Sequence, residues 1–178
     1  MRSSYKNKDI TYGELISTIT QIVKPKKILE IGILDGYSLE SFVKSSHAEI
    51  HAFDIFEEFN GNHPDIELLN RFKQFPNVTI QYGNFYNLHN KIGYSEYDII
   101  HIDIANTGDT FHYVMEHYLP KLSEYGIILF EGGSIARDNV EWMIKYNKSP
   151  IYPVIQQYTN VSIKTYGNMP SLTVANRI

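Results

Sequence analysis

Short apolar runs alternate along the chain with longer stretches of helical spacing. Thr11-Tyr12-Gly13-Glu14 has the spacing of a capping box and opens a helix with Leu15, Ile16, Ile19 and Ile22 apolar, which Pro25 ends. Lys27–Ile31 (KILEI) predicts a short buried strand closed by Gly32. The pattern then predicts a helix over 38–44, a strand over 50–53 ending at Asp54, a helix over 65–75 and a strand over 78–82. Residues 97–102 (YDIIHI) predict a fourth strand, ending at Asp103. Phe111, Val114, Met115, Tyr118, Leu119 and Leu122 predict a helix over 110–122. A fifth strand over 126–130 ends at Glu131, and a helix over 137–146 follows, with Val140, Trp142, Met143 and Tyr146 read as core packing. Two last strands, 161–166 and 172–176, flank Gly167-Asn168-Met169-Pro170 and form a hairpin. Parallel strands need helical crossovers and a hairpin adds only antiparallel ones, so the pattern predicts a mixed, mostly parallel α/β sheet.

Composition narrows the class. At 178 residues, without repeats or low-complexity linkers, the chain reads as a single domain over 1–178. No apolar run approaches the roughly 18 residues of a membrane span, and MRSSYKNKDI lacks the apolar core of a secretion signal. The absence of cysteine excludes disulfides and thiolate metal sites and makes the cytoplasm the expected location. A net charge of −4, with only Lys24, Lys26 and Lys27 close together, argues against a nucleic-acid partner.

The strand ends carry the chemistry. They read Glu30-Ile31-Gly32-Ile33-Leu34-Asp35-Gly36-Tyr37-Ser38, then Asp54, Gly83-Asn84, Asp103 and Glu131-Gly132-Gly133. Helix capping explains two or three of these acidic and amide groups but not the set. In open α/β sheets ligands bind at the carboxyl ends of strands. The first loop has G-x-x-x-G rather than the G-x-G-x-x-G of dinucleotide sites, and Glu30 beside it repels a pyrophosphate but welcomes an ammonium group. Gly32 and Gly36 let a backbone approach a ligand closely. Asp54 is placed to accept hydrogen bonds from ribose hydroxyls.

Glu30-x-Gly32-x-x-x-Gly36, followed by Asp54, Gly83-Asn84 and Asp103, resembles the class I S-adenosylmethionine-dependent methyltransferases. The likeness runs from about residue 11 to the end of the chain and is nearest to the small O-methyltransferases of antibiotic and sugar modification. It implies a Rossmann-like open three-layer sandwich, with a mostly parallel seven-stranded sheet and a C-terminal antiparallel hairpin. It further implies that Gly32 and Gly36 line the methionine and ribose end of the cofactor and that Glu30 holds the ammonium group. Asp54 would take the ribose hydroxyls, Asn84 and Phe85 would face the adenine, and Asp35, Ser38 and Asp103 would complete the cofactor site. Two positions depart from the pattern: Leu34 stands for the middle glycine, and Asn84 for the usual aspartate.

For catalysis the candidates are Asp103, His101 and His112. The same resemblance implies a small-molecule acceptor, with a hydroxyl of a sugar or natural-product intermediate the leading expectation. Relatives place oxygen ligands for a divalent cation at these strand ends, so Asp103 and Glu131 are candidate Mg2+ ligands, with Asn106 or Asp109 as a third; against this, Gly132 stands where a second adjacent ligand is usual. Without a metal, His101 or His112 is the candidate general base, the competing accounts being a half-buried strand residue and an exposed helix residue. Arg137 is either an anchor for an anionic substrate or an exposed arginine at a helix start. Tyr12, Tyr37 and Tyr86 are candidate substrate walls. The N-terminal segment, the loops over 104–112 and 132–138, or a neighbouring copy in a homo-oligomer would cover the acceptor, and 149–159 reads as a lid or a contact between copies. Two other readings stay open: a nucleotide-binding protein or oxidoreductase on a similar sheet, and a non-catalytic protein that keeps the fold. Methylation of DNA amino groups is disfavoured, because Asp103-Ile104-Ala105-Asn106 replaces the proline-rich motif it requires.

Overall fold

A computed structural model describes residues 11–58, 63–94, 96–169 and 171–178. The N-terminal cover expected over 1–10, and Pro170 of the last turn, lie outside the described residues. The chain divides into two compact units, Met1–Lys91 and Ile92–Ile178.

In the first unit, α1 (Tyr12–Val23) begins at the predicted capping box. The Thr11 backbone N–H donates to Glu14 Oε2 at 2.7 Å, and the Glu14 N–H donates to Thr11 Oγ1 at 3.2 Å. Lys24 ends the helix in the left-handed conformation, φ 52°. Three parallel strands follow the order β3-β2-β1: β1 (Lys27–Ile31), β2 (Glu49–Asp54) and β3 (Val78–Tyr82). Ile28, Leu29 and Ile31 are buried, as the unbroken apolar run of a strand covered on both faces requires. Between the strands lie α2 (Tyr37–Ser45) and α3 (Ile66–Asn70). The second of these tightens into a 3-10 turn over Arg71–Gln74, so the single helix predicted over 65–75 is two short pieces. A four-residue α4 (Phe85–Leu88), too short to show a period, was not predicted.

In the second unit the order is β4-β5-β7-β6. β4 (Tyr97–Ile102) and β5 (Leu122–Glu131) are parallel, and β7 (Leu172–Arg177) pairs antiparallel with both β5 and β6 (Val161–Tyr166). The helix predicted over 110–122 is α5 (Gly108–His117). Pro120 falls in a 3-10 turn and Leu122 already begins β5, because proline cannot continue the helical ladder. The helix predicted over 137–146 is likewise two: α6 (Ile135–Asp138) and α7 (Glu141–Lys145). Of its expected core residues Met143 is buried, but Tyr146 is exposed. Segment 149–159 contains α8 (Ile151–Ile155), which starts behind Pro150 and takes its first N–H groups to the Asp138 carboxylate. The seven strands thus form the expected mostly parallel, Rossmann-like sheet ending in an antiparallel hairpin. Among the described residues no helix is long and apolar enough to cross a membrane.

Candidate cofactor site

The first unit ties its strand ends together through backbone and carboxylate. Gly32 N–H donates to Phe53 O at 2.9 Å, and Gly83 N–H donates to Asp54 O at 3.0 Å. Asp54, 5% exposed, accepts three backbone N–H groups: Ile33 (2.6 Å) and Leu34 (3.0 Å) at Oδ2, and Phe56 (2.7 Å) at Oδ1. Its carboxylate therefore shapes the glycine loop. Gly32 and Gly36 have φ of 92° and 75°, and Leu34, where the middle glycine is usual, is also left-handed at 47°. The Asp54 bond to the Leu34 N–H helps hold a conformation that a side chain disfavours.

Below the loop Glu30 is fully buried, and the buried Ser38 hydroxyl donates to its Oε1. Asp35 is turned to structural use: its Oδ1 accepts from the Asp65 N–H at 3.1 Å, and its carbonyl accepts from Arg71 Nη2 at 3.2 Å. Arg71 also reaches Glu40 at 3.5 Å and the Gly36 carbonyl, clamping the loop from outside; no sequence signal pointed to it. Asn84 caps α4 through its Oδ1, which accepts from the Tyr86 N–H at 3.0 Å. Phe85 is buried and packs edge-on against Tyr86, which is exposed. Tyr12, a candidate substrate wall, belongs to the core, whereas Tyr37 is half-buried.

In the second unit Asp103 follows β4 and keeps solvent access, while the protein around it desolvates the carboxyl and raises its pKa; His101 and Arg137 partly offset this. His101 is fully buried on β4. His112 is exposed, with its Nδ1 2.6 Å from the Tyr158 hydroxyl, whose own pKa is raised by burial and by Glu116. Asn106 is buried and donates both amide hydrogens to backbone, to Ile102 O and Glu131 O at 3.0 Å each.

Glu131 and Arg137 overturn the sequence reading of both residues. Arg137 is 5% exposed, neither a surface arginine nor a free anchor. Its Nε donates to Glu131 Oε1 at 2.8 Å and its Nη2 to Glu131 Oε2 at 2.9 Å, a bidentate pair closed off from solvent.

Several solved structures share this architecture. A methyltransferase of Podospora anserina with S-adenosylhomocysteine bound is 18% identical, over 93% of this chain and 77% of its own, with a TM-score of 0.70. An O-methyltransferase of Bacillus cereus, also in complex with S-adenosylhomocysteine, is 18% identical over 98% and 85% of the two chains, with a TM-score of 0.68. TomG of Streptomyces achromogenes, an O-methyltransferase involved in tomaymycin synthesis and solved with S-adenosylmethionine, is 14% identical over 93% and 78%, with a TM-score of 0.65. The chain has the fold of these methyltransferases. At such identities the likeness is one of fold, and the residues must speak for the chemistry. No protein-family profile and no curated protein matches the sequence.

The metal expectation can be tested on the donors present. Both Glu131 oxygens are taken by Arg137. Gly132 offers no side-chain donor, and its φ of 106° is one that residues with a side chain rarely adopt. Among the described residues no three or more His, Asp or Glu side chains are grouped as a cation site. The donor set does not fit a divalent cation.

Proposed function

We propose that this chain is an S-adenosylmethionine-dependent methyltransferase, acting in the cytoplasm on a hydroxyl of a small acceptor such as a sugar or natural-product intermediate. The observation that carries the reading is the buried Glu30–Ser38 pair beneath the left-handed Gly32–Gly36 loop. A buried carboxylate with a hydroxyl beside it suits an ammonium group and is hostile to phosphate. The fold's solved relatives with S-adenosylmethionine or S-adenosylhomocysteine bound give the same direction.

In this reading Asp54, whose carboxylate braces the glycine loop through three backbone N–H groups, would receive a ribose hydroxyl. Gly32, Gly36 and Ser38 would take the amino-acid end of the cofactor with Glu30, and Asn84 the adenine edge. Asp35 would contribute by bracing the loop, through its bond to Asp65. When bound, the cofactor supplies an electrophilic methyl group on sulfur for in-line displacement, a reaction in which positioning contributes much of the rate. Asp103, exposed at the end of β4, would serve as the proton acceptor for a hydroxyl.

Isothermal titration of the whole chain with S-adenosylhomocysteine tests the reading. Micromolar binding is expected in the wild type, weakened about tenfold or more in Ser38→Ala and Asp54→Asn. Absence of binding to a folded wild-type chain would sink it and leave a non-catalytic or nucleotide-binding protein on the same fold.

A further inference from the structure

We propose that Arg137 occupies, as a built-in cation, the charge position that a divalent metal would need at the end of β5, so that the chain works without metal. The inference rests on the methyltransferase reading for its functional meaning, but its structural content stands on the second unit alone.

Glu131 is the carboxylate at the β5 end, and each of its oxygens receives one N–H of the Arg137 guanidinium, at 2.8 and 2.9 Å. Both side chains are 6% exposed. A metal ion binding Glu131 would have to sit beside the guanidinium cation, or expel it and leave it charged and unpaired in a buried place. Arg137 is not free to swing away. Its backbone N–H is fixed by Ser134 Oγ at 3.1 Å, its Cζ lies 5.0 Å from the centre of the Trp142 ring, and its Cγ is 3.4 Å from where a Gly132 Cβ would stand. The planar fork matches the carboxylate in a way that a spherical ion with a shell of six oxygens does not.

The neighbouring positions close the remaining routes. Gly132 brings no oxygen donor of its own, and its φ of 106° disfavours any residue that would. Asn106 spends its amide hydrogens on the Ile102 and Glu131 carbonyls, and its Oδ1 is sealed from solvent. That leaves the exposed carboxylates of Asp103, over which Arg137 already exerts a positive field, and Asp109, which no grouping of three or more donors among the described residues completes. A positive field at the nearer carboxylate disfavours a Mg2+ ion there.

The test uses the full wild-type chain and Mn2+ as the probe, with free ion counted by its electron paramagnetic resonance signal. No binding tighter than millimolar is expected, and the thermal midpoint should be the same in EDTA as in millimolar Mg2+. One Mn2+ bound per chain at micromolar affinity, and lost in Asp103→Asn, would overturn the proposal. In parallel, S-adenosylhomocysteine is titrated in EDTA and in Mn2+, with affinities expected to agree within about twofold. Binding that requires Mn2+ overturns the proposal as well. Binding absent in both buffers defeats the methyltransferase reading, while the Mn2+ count still decides whether the position is closed to metal.

Discussion

Asp54 in the first unit and Glu131 in the second are both 5% exposed carboxylates at the ends of strands, yet their surroundings make them different chemical objects. Asp54 accepts three neutral backbone N–H groups, from Ile33, Leu34 and Phe56, and so braces the glycine loop. Glu131 is satisfied by a guanidinium, so the pair is neutral and both carboxylate oxygens are engaged. A buried acid is available to a ligand only when its folding partners leave charge and lone pairs over. At Glu131 the guanidinium cancels the charge that would draw a cation.

The contrast breaks most visibly at Arg137. Arg137→Met strands the Glu131 carboxylate and is expected to cost about 3–5 kcal/mol in urea unfolding. Glu131→Gln combined with Arg137→Met should recover much of that, because no buried charge remains. A loss under about 1 kcal/mol in the single variant would show that the pair is not the buried, fixed unit described. Next in size is Asp54→Asn, expected to destabilise by about 1–3 kcal/mol, since an amide hydrogen then faces a backbone N–H. Equal stability there would mean that the loop does not depend on the carboxylate.

Two smaller effects sharpen the comparison through pH. Desolvation by the surrounding protein raises the folded pKa of Asp103 above its ordinary value of 3.8, against the lowering fields of His101 and Arg137. The folded chain then holds this proton more readily than the unfolded one. The resulting stability is present below the ordinary value and is lost as pH rises through the folded one. Carbon-13 titration of the Asp103 carboxyl should give a midpoint above 3.8, moved further up in Glu131→Gln/Arg137→Met. Glu14 is the exposed counterpart of Asp54. Hydrogen bonds from Thr11, its backbone foremost, lower its pKa from 4.5. Its support of α1 is present above that value and is lost as pH falls through the lowered folded value, which amide exchange at the Glu14 N–H should report.

Elements with sharp boundaries were legible in the sequence. β1, β3 and β4 span the predicted residues, and Thr11–Glu14 forms its capping box, because a buried apolar run between breakers and a cap motif are local signals. Elements without a period were not legible: α4 and α8 each run for five residues or fewer. Leu122 continues the helical spacing of α5 in sequence while the chain has already turned at Pro120 into β5. At the site, the acidic strand ends were visible and their partners were not.

The sequence by itself determined the seven strands and the longer helices in their order and set an acid or an amide at the end of each of the first five strands, since periodicity and breakers are properties of neighbouring residues. Only the tertiary structure decided what each of those groups does. Asp54 meets the amides of Ile33 and Leu34, Glu30 meets the Ser38 hydroxyl, and Glu131 meets Arg137 across a turn whose Gly132 and Gly133 both sit at φ 106°. Whether a carboxylate is a ligand, a cap or half of an ion pair depends on the charge and distance of what lies beside it in space, which residue order alone does not specify.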